Sequence, residues 1–424
     1  KVKGDALQEL LMLFETFRYY LREAPGLLRH EDIATGVMAH KRARAVRRPL
    51  GVVGVIAPWN FPLDLGLGEA IPALLAGNAV LLKPSPYASL INIMVAEQCE
   101  QRGLPSGLLQ VLVGGAETGQ AICERVDHIT FTGSTRTGRL IAQVAARRLI
   151  PCTLELGGKD AMLVLSDASL DRAAAAAVWG GFFNSGQMCM SVERVYVDRS
   201  VVKTFLAKVV ERTRALKQGA DTDYAMDVGS MTHTGQVEVV HRHVTEAVEQ
   251  GAIIEIGGRL AGHIGPCFYE PTILSGVDHT MRIMTEETFG PIIPIVRVRD
   301  EEEALRMAND CQYGLSANVW SKDEVKAIDL ATRIESGSVC VNDMAMAYGI
   351  MEAPFGGRKM SGLGQVHGDE GLRAYTFAQS IVIDRFGGKP TKEQYFPYTA
   401  KKYSDVQKAM KFVWGTRVGR WFSS

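Results

Sequence analysis

One cysteine lies in a stretch whose neighbouring residues support two different roles. Cys189 lies between Met188 and Met190, and a free cysteine among apolar neighbours is typically a buried, inert residue of the core. The preceding residues 184–187 read Asn-Ser-Gly-Gln and predict a sharp turn. No histidine in the sequence has the context of a hydrolase triad, so a nucleophilic thiolate would need backbone amides or the charge of a cofactor. This stretch alone therefore leaves packing and chemistry both open.

Two other segments could supply polar groups for catalysis. Asn60 lies between two prolines in a loop after an apolar run. Its side-chain amide could stabilise an oxyanion, although a lone asparagine in a turn more often bonds the local backbone. Glu155 ends an apolar run, and burial there would raise its pKa, which suits a general base. An ion pair with Lys159 is the structural alternative for Glu155.

A turn at residues 131–138 could bind phosphate. Gly133 and Ser134 stand between an apolar run and a helical pattern, where the amides and the dipole of a helix N-terminus attract a pyrophosphate. The glycine-rich GxGxxG fingerprint of dinucleotide folds is missing from the first turn of the sheet. An ordinary strand-to-helix turn explains the same residues, so the motif is weak alone.

Apolar runs alternate with helical patterns from about residue 49, and this alternation predicts a mostly parallel sheet with helices on both faces. Such sheets bind ligands beyond the carboxyl ends of their strands. The predicted strands lie at 52–58, 79–84, 109–114, 128–133, 152–156, 161–165, 194–198, 253–258, 292–298, 315–321, 337–342 and 380–384. The predicted helices lie at 65–76, 89–101, 117–125, 136–148, 170–182 and 201–216.

The amino-acid composition argues against several classes of function. Lys and Arg total 47, as do Asp and Glu, so no net field attracts nucleic acid, and no nucleic-acid partner is expected. Seven cysteines without a CxxC pair indicate neither a disulfide framework nor a zinc site, and no metal is expected. A reducing, cytoplasmic setting follows. The amphipathic N-terminal segment lacks a starting methionine, and we expect it to lie inside a longer protein.

Seven short motifs follow one another along the chain: PWNFP at 58–62, KP at 83–84, FTGS at 131–134, LELGGK at 154–159, GQMC at 186–189, EETFGP at 286–291 and PFGGRKMSGLG at 354–364. Their types and order to about residue 385 resemble the aldehyde dehydrogenase superfamily of the CoA-independent, hydrolysing kind. The resemblance implies an α/β fold with two Rossmann-like open domains and a small β oligomerisation element. It also implies that roughly the first hundred residues of a usual member are absent.

The resemblance implies a division of the chain into domains. The cofactor-binding domain would comprise 1–35 and 49–156, the oligomerisation strands 36–48 and 376–386, the catalytic domain 157–358, the return segment 359–375 and the basic tail 387–424. A homodimer or homotetramer is expected from the oligomerisation strands.

The resemblance also implies the catalytic roles. Cys189 would attack the aldehyde to form a thiohemiacetal, whose oxyanion the Asn60 side chain and the Cys189 backbone N–H would hold. Hydride transfer would leave a thioester, and Glu155 would activate the water that hydrolyses it. A CoA-acylating enzyme is one alternative, disfavoured because such relatives usually lack this acid. A catalytically inactive structural paralogue is another, disfavoured because all three groups are present.

The cofactor implied by the resemblance is NAD or NADP. Glu287 would bind the nicotinamide ribose, Phe289 would pack beside the ring and Lys83 would reach the adenine ribose. The residues expected along the diphosphate are Trp59, Gly133 and Ser134. The family often has an acid three positions after this lysine, and here that position is Pro86. Because an acid there repels a 2′-phosphate, its absence leaves the choice between the cofactors open.

The resemblance implies that the substrate is a small aldehyde, and its pocket is predicted from apolar residues near the cysteine. Phe61, Phe183, Met188 and Met190 are the expected walls, together with Phe182 and Met346, and Gly66 and Gly68 would leave space at the entrance. These residues favour an apolar aromatic or aliphatic aldehyde. A succinate-semialdehyde-type enzyme is the alternative, although no pair of arginines evidently selects a carboxylate.

The last residues differ from the rest of the chain. Residues 387–424 contain eight Lys or Arg against two acidic residues. Apolar and basic residues within 401–422 follow a helical spacing, which is typical of helices that lie on anionic membranes. An arm that packs on a neighbouring subunit is the favoured reading, with peripheral membrane contact through 401–422 as the alternative.

Overall fold

The computed structural model describes residues 1–387 and 396–415. Over these residues the chain forms two compact units. The large unit comprises Lys1–Ala24 and Leu50–Tyr375, and the small unit comprises Pro25–Pro49 and Thr376–Ser424.

The described strands are β1 (Glu31–Ile33), β2 (Lys41–Pro49), β3 (Val52–Ile56), β4 (Ala79–Lys83), β5 (Leu109–Val111), β6 (His128–Thr132), β7 (Cys152–Glu155), β8 (Asp160–Val164), β9 (Val192–Asp198), β10 (Ile253–Ile256), β11 (Thr272–Ser275), β12 (Ile292–Val298), β13 (Tyr313–Gly314), β14 (Ser316–Trp320), β15 (Ser338–Val341), β16 (Arg358–Lys359), β17 (Gly362–Leu363) and β18 (Thr376–Asp384).

The described α-helices are α1 (Lys3–Leu27), α2 (Glu69–Leu75), α3 (Ser89–Gln101), α4 (Ala116–Cys123), α5 (Thr135–Arg148), α6 (Leu170–Phe182), α7 (Val202–Ala215), α8 (Thr234–Glu249), α9 (Arg282–Thr285), α10 (Glu301–Asn309), α11 (Glu324–Arg333), α12 (Met346–Gly349), α13 (Gly368–Arg373) and α14 (Ala400–Gly415). A π-helix spans Asp64–Gly68, and 3₁₀ turns span Pro86–Ala88 and Phe183–Gly186.

A six-stranded sheet in the large unit carries the first group of predicted site residues. Its strand order is β17-β7-β6-β3-β4-β5, and all pairs except β17–β7 are parallel. Lys83 pairs with Ile56 at the end of β4, and Glu155 pairs with Thr132 at the end of β7. The carboxyl ends of these neighbouring parallel strands lie at one edge of the sheet, where α/β folds bind ligands.

A seven-stranded sheet in the same unit places the cysteine segment. Its order is β10-β11-β12-β9-β8-β14-β15, and all pairs except β10–β11 are parallel. Cys189 precedes β9, so its loop lies at the amino end of this sheet. Apolar residues of β8, β9, β12 and β14 are buried on both faces, as expected for a parallel sheet that helices cover.

The predicted fold class is confirmed, with local differences. The helix predicted at 65–76 is divided into the π-helix and α2. A Cβ atom at Gly66 would come within 2.6 Å of Asn92 Oδ1. Gly66 therefore allows close packing against Asn92 and does not provide the predicted space at the entrance of the substrate pocket. The strand predicted at 380–384 begins earlier, at Thr376.

The small unit contains a three-stranded antiparallel sheet and α14. The strand order is β1-β2-β18, and β2 and β18 pair over nine residues. The helix predicted within 401–422 is observed at Ala400–Gly415. Parts of the predicted tail, 388–395 and 416–424, lie outside the described residues. Within the described chain, no helix combines the length and apolar character needed to cross a membrane.

Candidate active site

A left-handed turn presents Cys189. Asn184, Ser185 and Gly186 have φ values of 49°, 58° and 72°, a conformation that non-glycine residues seldom adopt. At Gly186 a Cβ would come within 2.1 Å of the Gly290 carbonyl oxygen, so only glycine fits there. Because strained turns of this kind concentrate at functional sites, the local backbone favours chemistry over simple packing for the cysteine.

Asn60 is tied to this turn by hydrogen bonds. Its Nδ2 donates to the Gln187 carbonyl oxygen at 3.2 Å, and Asn184 Nδ2 donates to the Asn60 carbonyl oxygen at 3.1 Å. A side-chain amide carries two N–H groups, so the second hydrogen of Asn60 Nδ2 can serve a ligand. The structure thus places Asn60 beside the cysteine turn.

Glu155 is buried, and neither of its carboxylate oxygens has a hydrogen-bond partner in the described residues. Burial raises the pKa of Glu155 well above its usual value, and the negative charge of Glu69 raises it further. Lys159 does not pair with it, because the Lys159 ammonium lies 2.5 Å from Glu193 Oε2 and also donates to Thr288 Oγ1. The alternative prediction, an ion pair between Glu155 and Lys159, is therefore not observed.

Cys189 is a half-buried residue, and the surroundings of its thiol favour the protonated form. Burial raises the pKa of Cys189, and the charges of Asp160, Glu155 and Glu287 raise it further. A bond from the Met190 backbone N–H lowers the pKa, but its effect is smaller. Backbone amides alone therefore do not produce a thiolate here.

Hydrogen bonds to Glu193 hold the segment that carries Glu287 and Phe289. The Glu193 carboxylate accepts from the backbone N–H groups of Thr288 at 2.8 Å and Phe289 at 2.9 Å. Phe289 has a φ of 51°. Glu287 accepts from the Gly158 N–H at 3.2 Å, and burial raises the pKa of Glu287 to about 8.

The buried Lys159–Glu193 pair yields a stability prediction. Lys159→Met removes the cation and leaves a buried carboxylate without its counter-charge, which is expected to lower the free energy of unfolding by about 3–5 kcal/mol. Urea unfolding followed by circular dichroism measures the loss. Arg333→Met, which breaks an exposed pair with Glu302, is the matched control and should leave stability nearly unchanged. Equal effects of the two substitutions would contradict the prediction.

Three cavities meet around these residues. The first, of about 290 Å³, and the second, also about 290 Å³, share Cys189 as a lining residue. The third, of about 680 Å³, shares a group of lining residues with the second: Pro58, Trp59, Thr132, Gly133 and Ser134. Cys189 therefore stands where one cavity meets a longer space formed by the other two.

The first cavity contains the predicted substrate walls. Phe61, Phe183, Met188 and Met190 all line it. The rings of Phe61 and Phe183 stack at 5.8 Å between centroids. Met346 lines it too, whereas Phe182 is a core residue and does not. The expectation for Phe182 was wrong because it ends α6, whose buried face packs into the core.

The sequence analysis did not predict the polar residues that line the first cavity. Asp64 Oδ2 accepts from the Tyr348 hydroxyl at 2.9 Å, and burial raises the pKa of Asp64 to about 7. Glu9 also lines the cavity and pairs with Lys1 at 2.9 Å. The lining includes no Lys, Arg or His from the described part of the chain. Asp64 ends the segment PWNFPLD, and an acidic residue so close to the predicted pocket wall Phe61 was the available sign of a polar group in the pocket.

The second and third cavities contain the predicted cofactor residues. Glu155, Glu287 and Phe289 line the second, Lys83 lines the third, and Trp59, Gly133 and Ser134 line both. The Ser134 hydroxyl accepts from the Thr137 N–H and caps the 14-residue helix α5. The described residues around the third cavity include no Asp or Glu.

These residues fit a dinucleotide. Among the described residues, the Lys83 ammonium donates only to the Pro84 carbonyl oxygen, at 3.3 Å. Burial lowers the pKa of Lys83, and an oxygen-rich ligand would supply further acceptors for its ammonium group. The N-terminus of α5 adds the amides and the positive dipole end that bind a diphosphate.

Comparisons with known proteins agree on one family. The model described as "Aldehyde dehydrogenase family" matches residues 1–381. The chain is 41% identical to a 4,4'-diapolycopene aldehyde oxidase of a Methylomonas species over 421 residues, which is 98% of this chain and 78% of that protein. It is 42% identical over 393 residues to a protein of Mycolicibacterium smegmatis named putative succinate-semialdehyde dehydrogenase (NADP+), covering 91% and 75%.

A solved structure agrees as well. The Mycobacterium tuberculosis aldehyde dehydrogenase complexed with NAD+ matches with a TM-score of 0.83 and 37% identity, covering 87% of this chain and 76% of that chain.

Proposed function

Because the chain belongs to the aldehyde dehydrogenase family and is an NAD(P)-dependent aldehyde oxidoreductase, we propose that it converts an uncharged, apolar aldehyde into the carboxylic acid by covalent catalysis at Cys189. The observation that carries the proposal is the position of Cys189 at the junction of two cavities. One cavity is apolar, and the other contains Glu155 and the residues that fit a dinucleotide.

Covalent attack starts the proposed mechanism. The Cys189 thiol passes its proton to water, and its sulfur bonds to the carbonyl carbon of the aldehyde while the π electrons of the C=O bond move to the oxygen, which gives a thiohemiacetal. The charge on the former carbonyl oxygen is stabilised by the free N–H of Asn60 Nδ2 and the Cys189 backbone N–H. Preorganised donors of this kind contribute about 3–4 kcal/mol each in known enzymes.

The cofactor, when bound, supplies the acceptor for the hydride that leaves the substrate carbon. We propose that Glu287 and Phe289 hold its nicotinamide half and Lys83 its adenosine half. The diphosphate would lie along Trp59, Gly133 and Ser134. On this proposal both sheets contribute to both tasks. The six-stranded sheet positions Lys83 and Glu155, and the segments before β9 and β12 of the seven-stranded sheet carry Cys189 and Phe289.

Hydrolysis of the Cys189 thioester releases the acid. Glu155 takes a proton from water as that water attacks the thioester carbon, and the Cys189 sulfur leaves. The unpartnered oxygens and the raised pKa of Glu155 support this role, because a carboxylate whose pKa is raised accepts a proton from water more readily than an ordinary one. The same residue disfavours transfer to CoA, since a base beside the thioester promotes hydrolysis. The presence of all three groups disfavours an inactive paralogue.

The chemistry of the first cavity supports the substrate class. Its walls are mainly aromatic and thioether side chains, and Asp64, which accepts a hydrogen bond from Tyr348, has no ion pair among the described residues. A substrate carboxylate, as in succinate semialdehyde, would meet no cation among the described lining residues and would be repelled by Asp64 when that group is ionised. A hydrocarbon aldehyde meets neither obstacle. Of the relatives, one is named a 4,4'-diapolycopene aldehyde oxidase and another a putative succinate-semialdehyde dehydrogenase.

An aldehyde panel tests the substrate class. We expect kcat/KM for methyl 4-oxobutanoate to exceed that for succinate semialdehyde by about tenfold or more, a difference of roughly 1.4 kcal/mol. The two compounds differ only in the charged end. The ratio should grow as the pH rises from 6 to 8, because Asp64, with a pKa of about 7, then becomes ionised. Asp64→Asn should remove that growth.

A preference for succinate semialdehyde over its ester would sink the proposed substrate class. It would leave aldehyde oxidation intact and favour a semialdehyde dehydrogenase instead. Hexanal and benzaldehyde belong in the same panel, because they separate aliphatic from aromatic specificity.

Cofactor choice gives a further prediction. The described lining of the third cavity has Lys83 and no acid, so nothing there repels a 2′-phosphate. We expect NAD and NADP to differ in kcat/KM by less than about a hundredfold, or roughly 2.7 kcal/mol. Parallel assays with both cofactors measure this ratio, and Lys83→Ala should weaken both. A larger preference for NAD would show that another feature excludes the phosphate.

Assembly and location are also proposals. We propose a homodimer or homotetramer formed through 36–48 and 376–386 in a cytoplasmic enzyme. The exposed apolar residues of β18, such as Phe377 and Val382, support a contact at this strand. Light scattering after size-exclusion chromatography would give the subunit number.

A further inference from the structure

Charge is unevenly divided between the two units. The small unit, Pro25–Pro49 and Thr376–Ser424, has 15 Lys and Arg residues against 5 Asp and Glu residues in the sequence. The whole chain has 47 of each. The small unit is therefore strongly basic, with a net charge of +10, and the large unit carries the opposite excess. A basic region of this kind attracts anionic surfaces.

Helix α14 adds an apolar face to this basic unit. The residues that form the face recur at helical spacing: Tyr403, Val406, Met410, Val413 and Trp414. Four of them are more than half exposed, and no residue of the helix is buried. Phe396 and Tyr398, just before the helix, are 80% and 76% exposed.

The lysines complete the amphipathic pattern. The helix contains Lys401, Lys402, Lys408 and Lys411 against the single acid Asp405. At 100° per residue, Lys401, Lys408 and Lys411 fall outside the arc that the apolar face occupies. Lysine stems can lie along an apolar surface while the ammonium groups reach anionic headgroups.

We propose that the small unit binds anionic lipid bilayers, with the apolar face of α14 lying in the membrane interface. Two independent features support this occupant. The excess of positive charge complements a negatively charged surface, and aromatic residues such as Trp414 and Tyr403 favour the boundary between headgroups and acyl chains. This inference does not depend on the proposed substrate.

The charge also argues against the other occupants. A second copy of α14 would bring its four lysines against the four lysines of the first. A nucleic acid would satisfy the charge but would leave the apolar face in water. A bilayer surface satisfies both features at once.

Vesicle co-sedimentation of the full chain tests the inference. We expect binding to vesicles of phosphatidylcholine with 30% phosphatidylserine to exceed binding to pure phosphatidylcholine by about tenfold or more. Binding should fall when NaCl is raised from 0.1 to 0.5 M, because salt screens the attraction. Val406→Ser/Trp414→Ser and Lys408→Gln/Lys411→Gln should each weaken binding several-fold.

Matched controls make the outcomes decisive. Lys203→Gln/Lys322→Gln removes two exposed lysines from the large unit and should bind vesicles like the unmodified chain. All variants should retain turnover of a soluble aldehyde, which shows that they fold. Equal pelleting of every variant would overturn the inference. So would binding to DNA in place of vesicles, or a change in subunit number in the α14 variants without any vesicle binding.

Discussion

Cys189→Ala is expected to abolish aldehyde oxidation with every substrate and both cofactors, with kcat falling by roughly 10⁵-fold or more, as for nucleophile removal elsewhere. The expectation follows from the position of the thiol, since Cys189 lines both the apolar cavity and the cavity that contains Glu155. Alanine leaves the hydrogen bonds of Asn60 and Asn184 around the turn in place. The loss should therefore reflect chemistry and not a collapsed site.

Absorbance of the reduced nicotinamide measures the turnover. Cys99→Ala, at a half-buried cysteine of α3, is the matched control and should retain activity. Circular dichroism and cofactor binding should be unchanged in Cys189→Ala. Turnover that survived in this variant with any aldehyde would refute covalent catalysis at this residue, and turnover lost equally in the control would point to structural damage.

The sequence predicted the framework because the relevant signals are local. The apolar runs that became β3, β4, β6 and β7 are short and regularly separated by helical patterns. Parallel pairing then places the ends of those strands at one edge without further information. That is why Lys83 and Glu155, far apart in the chain, could be expected at the same sheet edge, where the structure has them.

The remaining features depend on contacts between distant segments. Glu193 and Lys159 pair across 34 positions, and Glu193 then fixes the backbone of Phe289. Glu193 lies just before the strand predicted at 194–198, and its partner could not be predicted from spacing. In the same way, the bond between Tyr348 and Asp64 forms only when the chain folds. The polar end of the first cavity was therefore missed.

Glu155→Gln is expected to stop the cycle at the thioester, lowering steady-state kcat by about 10³-fold, within the range for loss of a general base. Formation of one equivalent of reduced nicotinamide in the first turnover should survive, because Asn60 and Cys189 are untouched. Intact-protein mass spectrometry should show an acyl group on the enzyme, absent from Cys189→Ala. Glu97→Gln, an exposed acid on α3, is the matched control and should show no acyl adduct.

The pH dependence distinguishes hydrolysis from earlier roles of Glu155. Burial and the charge of Glu69 raise the pKa of Glu155, so its basic form is populated only as the pH rises, and thioester hydrolysis should accelerate in that direction. Glu69→Gln removes the neighbouring charge, lowers the pKa of Glu155 and should move the rise to lower pH. The Glu155→Gln variant should lack this rise. If it instead lost the first turnover and carried no acyl group, Glu155 would act before the thioester, most simply by taking the proton of Cys189.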